Sequence, residues 1–202
     1  MPVTINGNGS ITGLSVGGLG SGVVNDTTLA SNAVTNAKIA SGAITSSSLP
    51  SGSVLQVVTA STTSQVNWSS GWTDTGLTAN ITPNFANSNI IITCFGQTRL
   101  AGEYDHGIGF RFIRTPTSDP SSLTAIMTTA NNYWQYFYDG NDGPTHDVRG
   151  SQTLSVADNT HNSTSSLTYK LQFHSYRSDE GNSARFCDNS SRASMQIMEI
   201  KV

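Results

Sequence analysis

A ten-residue repeat running from Leu19 to Val54 limits what this chain can fold into more than any other feature. Leu19, Leu29, Ile39 and Leu49 share one column, and Val24, Val34, Ile44 and Val54 share another, five residues on. Ser21, Ser31, Ser41 and Ser51 are identical, and Gly22, Asn32, Gly42 and Gly52 follow them. A short repeat of small residues cannot bury an apolar side by itself, so it requires neighbours. Identical chains are the candidate neighbours, which makes the repeat a self-associating stalk with the two apolar columns as its contacts.

The period of ten is not a coiled-coil heptad. Pro50 excludes one continuous helix, and Gly42 argues against it. Two local conformations stay open. Thr35 can cap a single helical turn over Asn36 to Ile39, with Gly42 in the left-handed exit position. Alternatively, short strands alternate with Ser-Gly turns. A disordered linker shares this Gly, Ser, Thr and Asn composition, but a linker has no reason to keep apolar columns.

Charge marks where the repeat gives way to something else. Only 11% of the 202 residues are charged, and Asp26 and Lys38 are the only charges before residue 54. The shift places a boundary near Gly52, giving segments 1–18, 19–53 and 54–202. The net charge of -3 leaves no basic footprint, so nucleic acid is not an expected partner. No apolar run approaches a membrane span, so no membrane insertion is expected. Met1-Pro2-Val3-Thr4-Ile5 has neither the basic start nor the apolar core of an export signal. Cys94 and Cys187 are accordingly expected as reduced thiols in apolar strands, in a chain folded in a cytoplasm.

Within residues 1–18, Thr4-Ile5-Asn6-Gly7 reads as a short strand entering a turn, and Ser10 to Leu14 repeats the idea. Such short strands are marginal alone. They fit an attachment segment that pairs with a partner chain or docks onto another protein.

Residues 54–202 read as all-β. Leu167, Tyr169, Leu171 and Phe173 alternate with Thr168, Lys170, Gln172 and His174. Met195, Ile197, Glu199 and Lys201 alternate with Gln196, Met198, Ile200 and Val202. Further strands are expected over 54–59, 66–68, 75–81, 89–98, 108–114, 123–129, 133–138, 153–156 and 184–187. Polar, Gly- and Asp-rich turns between them indicate an antiparallel β-sandwich of jelly-roll type.

The chemistry-bearing residues are sparse. No hydrolase elbow, P-loop, dinucleotide fingerprint or zinc spacing is present, so neither an enzyme nor a cofactor or metal is expected. Gly102-Glu103-Tyr104-Asp105-His106 reads as a solvated turn, and Asp139-Gly140-Asn141-Asp142-Gly143 lacks the closing acid of a calcium loop. His174 closes an alternating strand and could face a subunit axis. One of Trp68 and Trp72 is expected in the core. The densest aromatic cluster is Tyr133-Trp134-Gln135-Tyr136-Phe137-Tyr138. On a strand, Trp134, Tyr136 and Tyr138 face one way and Tyr133, Gln135 and Phe137 the other. One face belongs to the core. The other is a subunit interface or a sugar-stacking platform, for which Asp139 and Asp142 supply hydroxyl-binding carboxylates.

The start Thr4-Ile5-Asn6-Gly7-Asn8-Gly9-Ser10-Ile11-Thr12-Gly13-Leu14, the repeat Asn32 to Thr45 with Leu49-Pro50-Ser51-Gly52-Ser53-Val54-Leu55-Gln56-Val57-Val58, and the closing Met195-Gln196-Ile197-Met198-Glu199-Ile200-Lys201 together resemble virion fibre proteins of tailed bacteriophages, especially cyanophages and other marine phages. The resemblance covers the first 58 residues well and the rest loosely. It implies a homotrimer with two identical chains as partners, and a tail or baseplate fibre docked to a tail, baseplate or capsid protein by its N-terminus. It also implies a distal sandwich that contacts the host surface, and no catalytic residues. A head fibre or decoration protein fits the same features. A lectin-like module with a linker is the alternative of a different class. A depolymerising spike is disfavoured, because such enzymes need a larger sheet surface with paired acids.

Overall fold

The structure is a computed structural model and describes residues 4–5, 7, 11–12, 24, 29–102, 106–128, 134–137, 146–176 and 183–202. The chain divides into two compact units, Met1–Thr45 and Ser46–Val202.

In the first unit, β1 (Thr4–Ile5) and β2 (Ile11–Thr12) pair antiparallel, Thr4 opposite Thr12 and Ile5 opposite Ile11. The two short strands expected to seek a partner chain therefore pair with each other.

Over residues 29–53 the repeat is neither a run of strands nor one continuous helix. It alternates two kinds of tight turn. Ala33, Ala43 and Ser53 donate their backbone N–H groups to Ala30, Ala40 and Pro50, three residues back, at 2.9, 3.0 and 3.2 Å. The third residue of each turn has positive φ: 62° at Asn32, 77° at Gly42 and 86° at Gly52. A β-turn of type II needs Gly or Asn at that place, which is the physical reason for the Gly/Asn column. Between these lie single 3-10 turns at Asn36–Lys38 and Ser46–Ser48. Thr35 holds the N-cap place of the first, but its side chain makes no capping bond. Gly42 belongs to the β-turn that follows and not to a helix exit.

The second unit is built from β3 (Val54–Thr62), β4 (Val66–Asn67), β5 (Thr73–Ile81), β6 (Asn89–Gly102), β7 (His106–Pro116), β8 (Thr124–Thr128), β9 (Gln135–Phe137), β10 (His146–Asp158), β11 (Leu167–Ser175), β12 (Ser183–Phe186) and β13 (Ala193–Ile200). No α-helix occurs among the described residues. One sheet runs β3-β13-β6-β10, with β12 and β4 continuing the lines of β13 and β3 alongside the far half of β6. The other runs β5-β11-β7, with β8 and β9 both paired to β7.

The pairings are nested. β3 joins β13, β5 joins β11, β6 joins β10, and β7 joins β8, all antiparallel. The chain is thus one long hairpin, closed after β7, whose successive strand pairs fall in alternate sheets. That is the jelly-roll arrangement.

Side-chain alternation explains why the sheets stack. Ile90, Ile92, Cys94 and Leu100 of β6 turn inward, as do Leu167, Tyr169, Leu171 and Phe173 of β11. They meet Ile108, Phe110 and Phe112 of β7, and Met195 and Ile197 of β13, in one core. Trp68 packs partly buried against that core. Strand β10 begins at His146 and not at Thr153, because Arg149 and Gly150 hide its alternation. Cys94 and Cys187 are free and buried, and burial pushes both thiols up.

Candidate functional site

Two surfaces of the chain stand out. The first is the apolar columns of the repeat. Val24, Leu29, Val34, Ile39, Ile44 and Val54 are all exposed on the single chain, Ile44 to 61%. Leu49 is half-buried, and Leu19 lies outside the described residues. Small turns hold these side chains outward, since neither turn type has an inner face to receive them.

The second is an aromatic group on β9 and the end of β11. Gln135 points inward, where its Oε1 accepts from Gln152 at 2.6 Å and from Thr98 at 3.3 Å. Alternation then turns Trp134 and Tyr136 outward, and both are exposed. The Trp134 N–H donates to the Ile108 carbonyl at 2.8 Å, which fixes the strand entry. Tyr136 pairs across from Gly107, and the Tyr176 N–H donates to the Gly107 carbonyl at 2.9 Å from the other side. Gly107 has no side chain, so the Tyr136 and Tyr176 rings meet edge to face with centroids 5.7 Å apart. Tyr176 was not singled out by the sequence, because nothing in its spacing links it to Tyr136. Tyr138, Asp139 and Asp142 lie outside the described residues. Asp147, on β10, accepts a bidentate pair of bonds from Arg99 at 2.7 and 2.8 Å. The guanidinium holds the Asp147 carboxyl below its usual range.

Two further clusters are internal to the chain. The His174 ring lies between Trp68 and Trp72, 5.5 and 5.4 Å away, and Arg111 stacks over Trp72 at 4.7 Å. The neighbours of His174 are thus rings of its own chain. Arg149, Arg99 and Arg185 stand side by side on adjacent strands, an arrangement that repels. Asp188, fully buried, offsets it: Oδ2 accepts from Arg149 Nε at 2.8 Å, and Oδ1 is 3.6 Å from Arg185. Among the described residues no group of three or more His, Cys, Asp or Glu could hold a metal, and no helix is long and apolar enough to cross a membrane.

No protein-family model matches the chain, and no curated protein matches it in sequence. Solved structures with a partial likeness include infectious bursal disease virus Gt strain, at 16% identity over 75% of this chain and 38% of that one, TM-score 0.35. The Gx strain of the same virus gives 14% identity, 75% and 39% coverage, and a TM-score of 0.36. The VP2 subviral particle of that virus gives 15%, 73%, 37% and 0.29. This chain spans well under half the length of each, and a likeness this slight carries no argument about what the chain does.

Proposed function

We propose that the chain is a non-enzymatic structural fibre protein of a virion, assembled as a homotrimer. The observation that supports it is the pair of apolar columns, repeated every ten residues, with six of their eight members exposed on a single chain. Burial of a Val, Leu or Ile side chain is worth about 1.5–3 kcal/mol, so two further copies of the same column offset the entropy of ordering such a turn-rich segment. Residues 1–18 dock to a tail, baseplate or capsid protein, and the jelly-roll unit presents a host-contact surface. Three weak contacts on one trimer gain strength from being tethered. Light scattering of the purified full chain tests the reading: a mass of three chains is expected, and a stable monomer at micromolar concentration sinks it.

A specific observation also favours carbohydrate contact on the jelly-roll unit, either as the fibre's adhesion or as a lectin-like module in its own right. Trp134, Tyr136 and Tyr176 expose apolar faces with polar tips beside a glycine. Trp134→Ala and Tyr136→Ala then abolish binding on a glycan array while leaving the melting temperature unchanged. Equal binding by both variants removes this site from the proposal.

A further inference from the structure

The outer face of the β3-β13-β6-β10 sheet is not uniform. At its end nearest Val54 the outward residues are mostly apolar, Asn89 opposite Ile200 being the polar one. Val54 pairs with Ile200, Val57 with Met198, Met198 with Ile91, and Ile91 with Ala157. Their chain neighbours Ile90, Ile92, Ile197 and Glu199 are buried, which fixes these side chains on the opposite, outer side. Val57 remains 49% exposed and Val54 51%. The next outward row is neutral and hydroxyl-rich: Thr59, Gln196, Thr93 and Ser155, with Thr93 and Ser155 bonded at 3.0 Å. Charge enters beyond that row, at Arg192, which bonds Ser61 at 3.3 Å, and further along β6 at the row of Arg99, Arg149 and Arg185.

A solvent-facing sheet surface normally alternates apolar-in with polar-out. Six outward apolar side chains on four adjacent strands break that rule. Val54 is also the last member of the apolar column of the repeat, so the column leads in sequence directly onto this patch. Copies of a patch that lacks charge can converge on one rotation axis without like-charge repulsion.

We propose that this patch is the contact through which the jelly-roll units of three copies of the chain pack together. The inference rests on the trimeric fibre reading and assigns the part of the interface that lies outside the repeat. The aromatic group of Trp134, Tyr136 and Tyr176 belongs to the other sheet and is not part of this contact.

The test uses the full chain. Val57→Cys places a small thiol on the patch, and Asn80→Cys places one on the outer face of β5. Cys94 and Cys187 are buried and their thiols raised, so a maleimide at neutral pH reports the new positions. In the purified trimer, position 57 should label roughly tenfold or more slowly than position 80, because labelling then needs opening of the interface. Ile91→Lys should lower the scattering mass, and Asn80→Lys should not. Equal labelling at 57 and 80 in trimers of the two cysteine variants overturns this inference alone, and so does an unchanged mass for I91K. A wild-type chain that is monomeric overturns the fibre reading with it.

Discussion

Asn84 grips Glu199 twice: its backbone N–H donates to Oε1 and its side-chain amide to Oε2, both at 2.8 Å. Gln56 adds a bond to Oε2 at 2.6 Å, Ser88 one to Oε1 at 2.8 Å, and Phe85 one at 3.2 Å. The carboxylate has no exposure at all. Neutral donors hold it in the space where a sequence of this alternation would place another apolar residue.

Burial pushes the Glu199 carboxyl up, but the bonds from Gln56, Asn84 and Ser88 together hold it below the ordinary 4.5. A carboxyl lowered in the fold contributes stability above its unfolded pKa and loses it as pH falls through the folded one. Glu199→Gln sets an amide donor against groups that are themselves donors, at a cost of about 2–4 kcal/mol at neutral pH. Urea unfolding of the two proteins should show that gap at pH 7 and a smaller one at pH 3. A gap independent of pH would show that the charge is not what the site holds.

Gly96 is present because Phe186 occupies the space of its side chain. A Cβ there would lie 2.3 Å from Phe186 Cζ and 2.6 Å from Cε2. The Phe186 ring is itself wedged against Phe110 and Phe173, with centroids 6.3 and 6.2 Å away, and cannot retreat. Gly96→Ala should therefore cost about 1–3 kcal/mol through overpacking. Thermal unfolding measures it, and the double variant G96A/F186L should recover part of the loss. An unchanged midpoint for G96A would contradict the packing described.

These two sites show what the sequence could and could not disclose. Leu167 to Phe173 and Ile108 to Phe112 carry period-two alternation openly and lie in strands where it places them, whereas the first half of β10, from His146, was hidden by Arg149 and Gly150. Alternation also placed Glu199 inward with Met195 and Ile197, but a carboxylate inside a sheet is unreadable without its donors, which come from β3 and from residues 84–88. Phe186 and Gly96 are likewise distant in the chain and meet only because β12 runs beside the far half of β6. On the aromatic surface, Trp134 and Tyr136 were legible from their run, whereas Tyr176 joins them only through the Gly107 register. The turns of the repeat were ambiguous for a different reason. Ser-Gly suits both a helix exit and a β-turn, and only the bonds from Ala43 to Ala40 and from Ser53 to Pro50 separate the two.

Lys201 holds the last copy of the repeat to the jelly roll. Its ammonium donates to the carbonyls of Ser47 and Leu49, 2.8 Å away in the first case, and sits 5.6 Å from the Phe85 ring centroid. Its backbone bonds to Ser53 and Gly52 at 2.9 and 2.7 Å. Lys201→Met keeps the backbone pair and the aliphatic stem and removes the two charge-assisted bonds, each worth about 1.5–3 kcal/mol. Part of that is recovered from water at a half-buried place, so global stability should fall little. Local opening should rise instead, because residues 46–53 depend on these bonds more than the sheet does. Limited proteolysis should cut K201M within 46–53 faster than wild type, with unfolding midpoints nearly equal. Equal cleavage rates would show that the backbone pair alone secures the segment.

His174 makes stability fall in mild acid. Burial between Trp68 and Trp72 lowers its pKa, a backbone bond at Ser175 works against that, and the Arg111 charge lowers it further, leaving it below the ordinary 6.5. The sign is that of a base disfavoured in the fold. As pH drops through the unfolded value, the unfolded chain takes up the proton first, and stability is lost from about pH 6.5 down to the folded pKa. His174→Gln keeps a flat polar group between the two indoles and removes the titration. Urea midpoints at pH 7.5, 6.5 and 5.5 should decline for wild type and decline less for H174Q, with the wild-type advantage greatest at pH 7.5. Parallel declines would place the acid sensitivity in other groups and leave His174 a packing residue only.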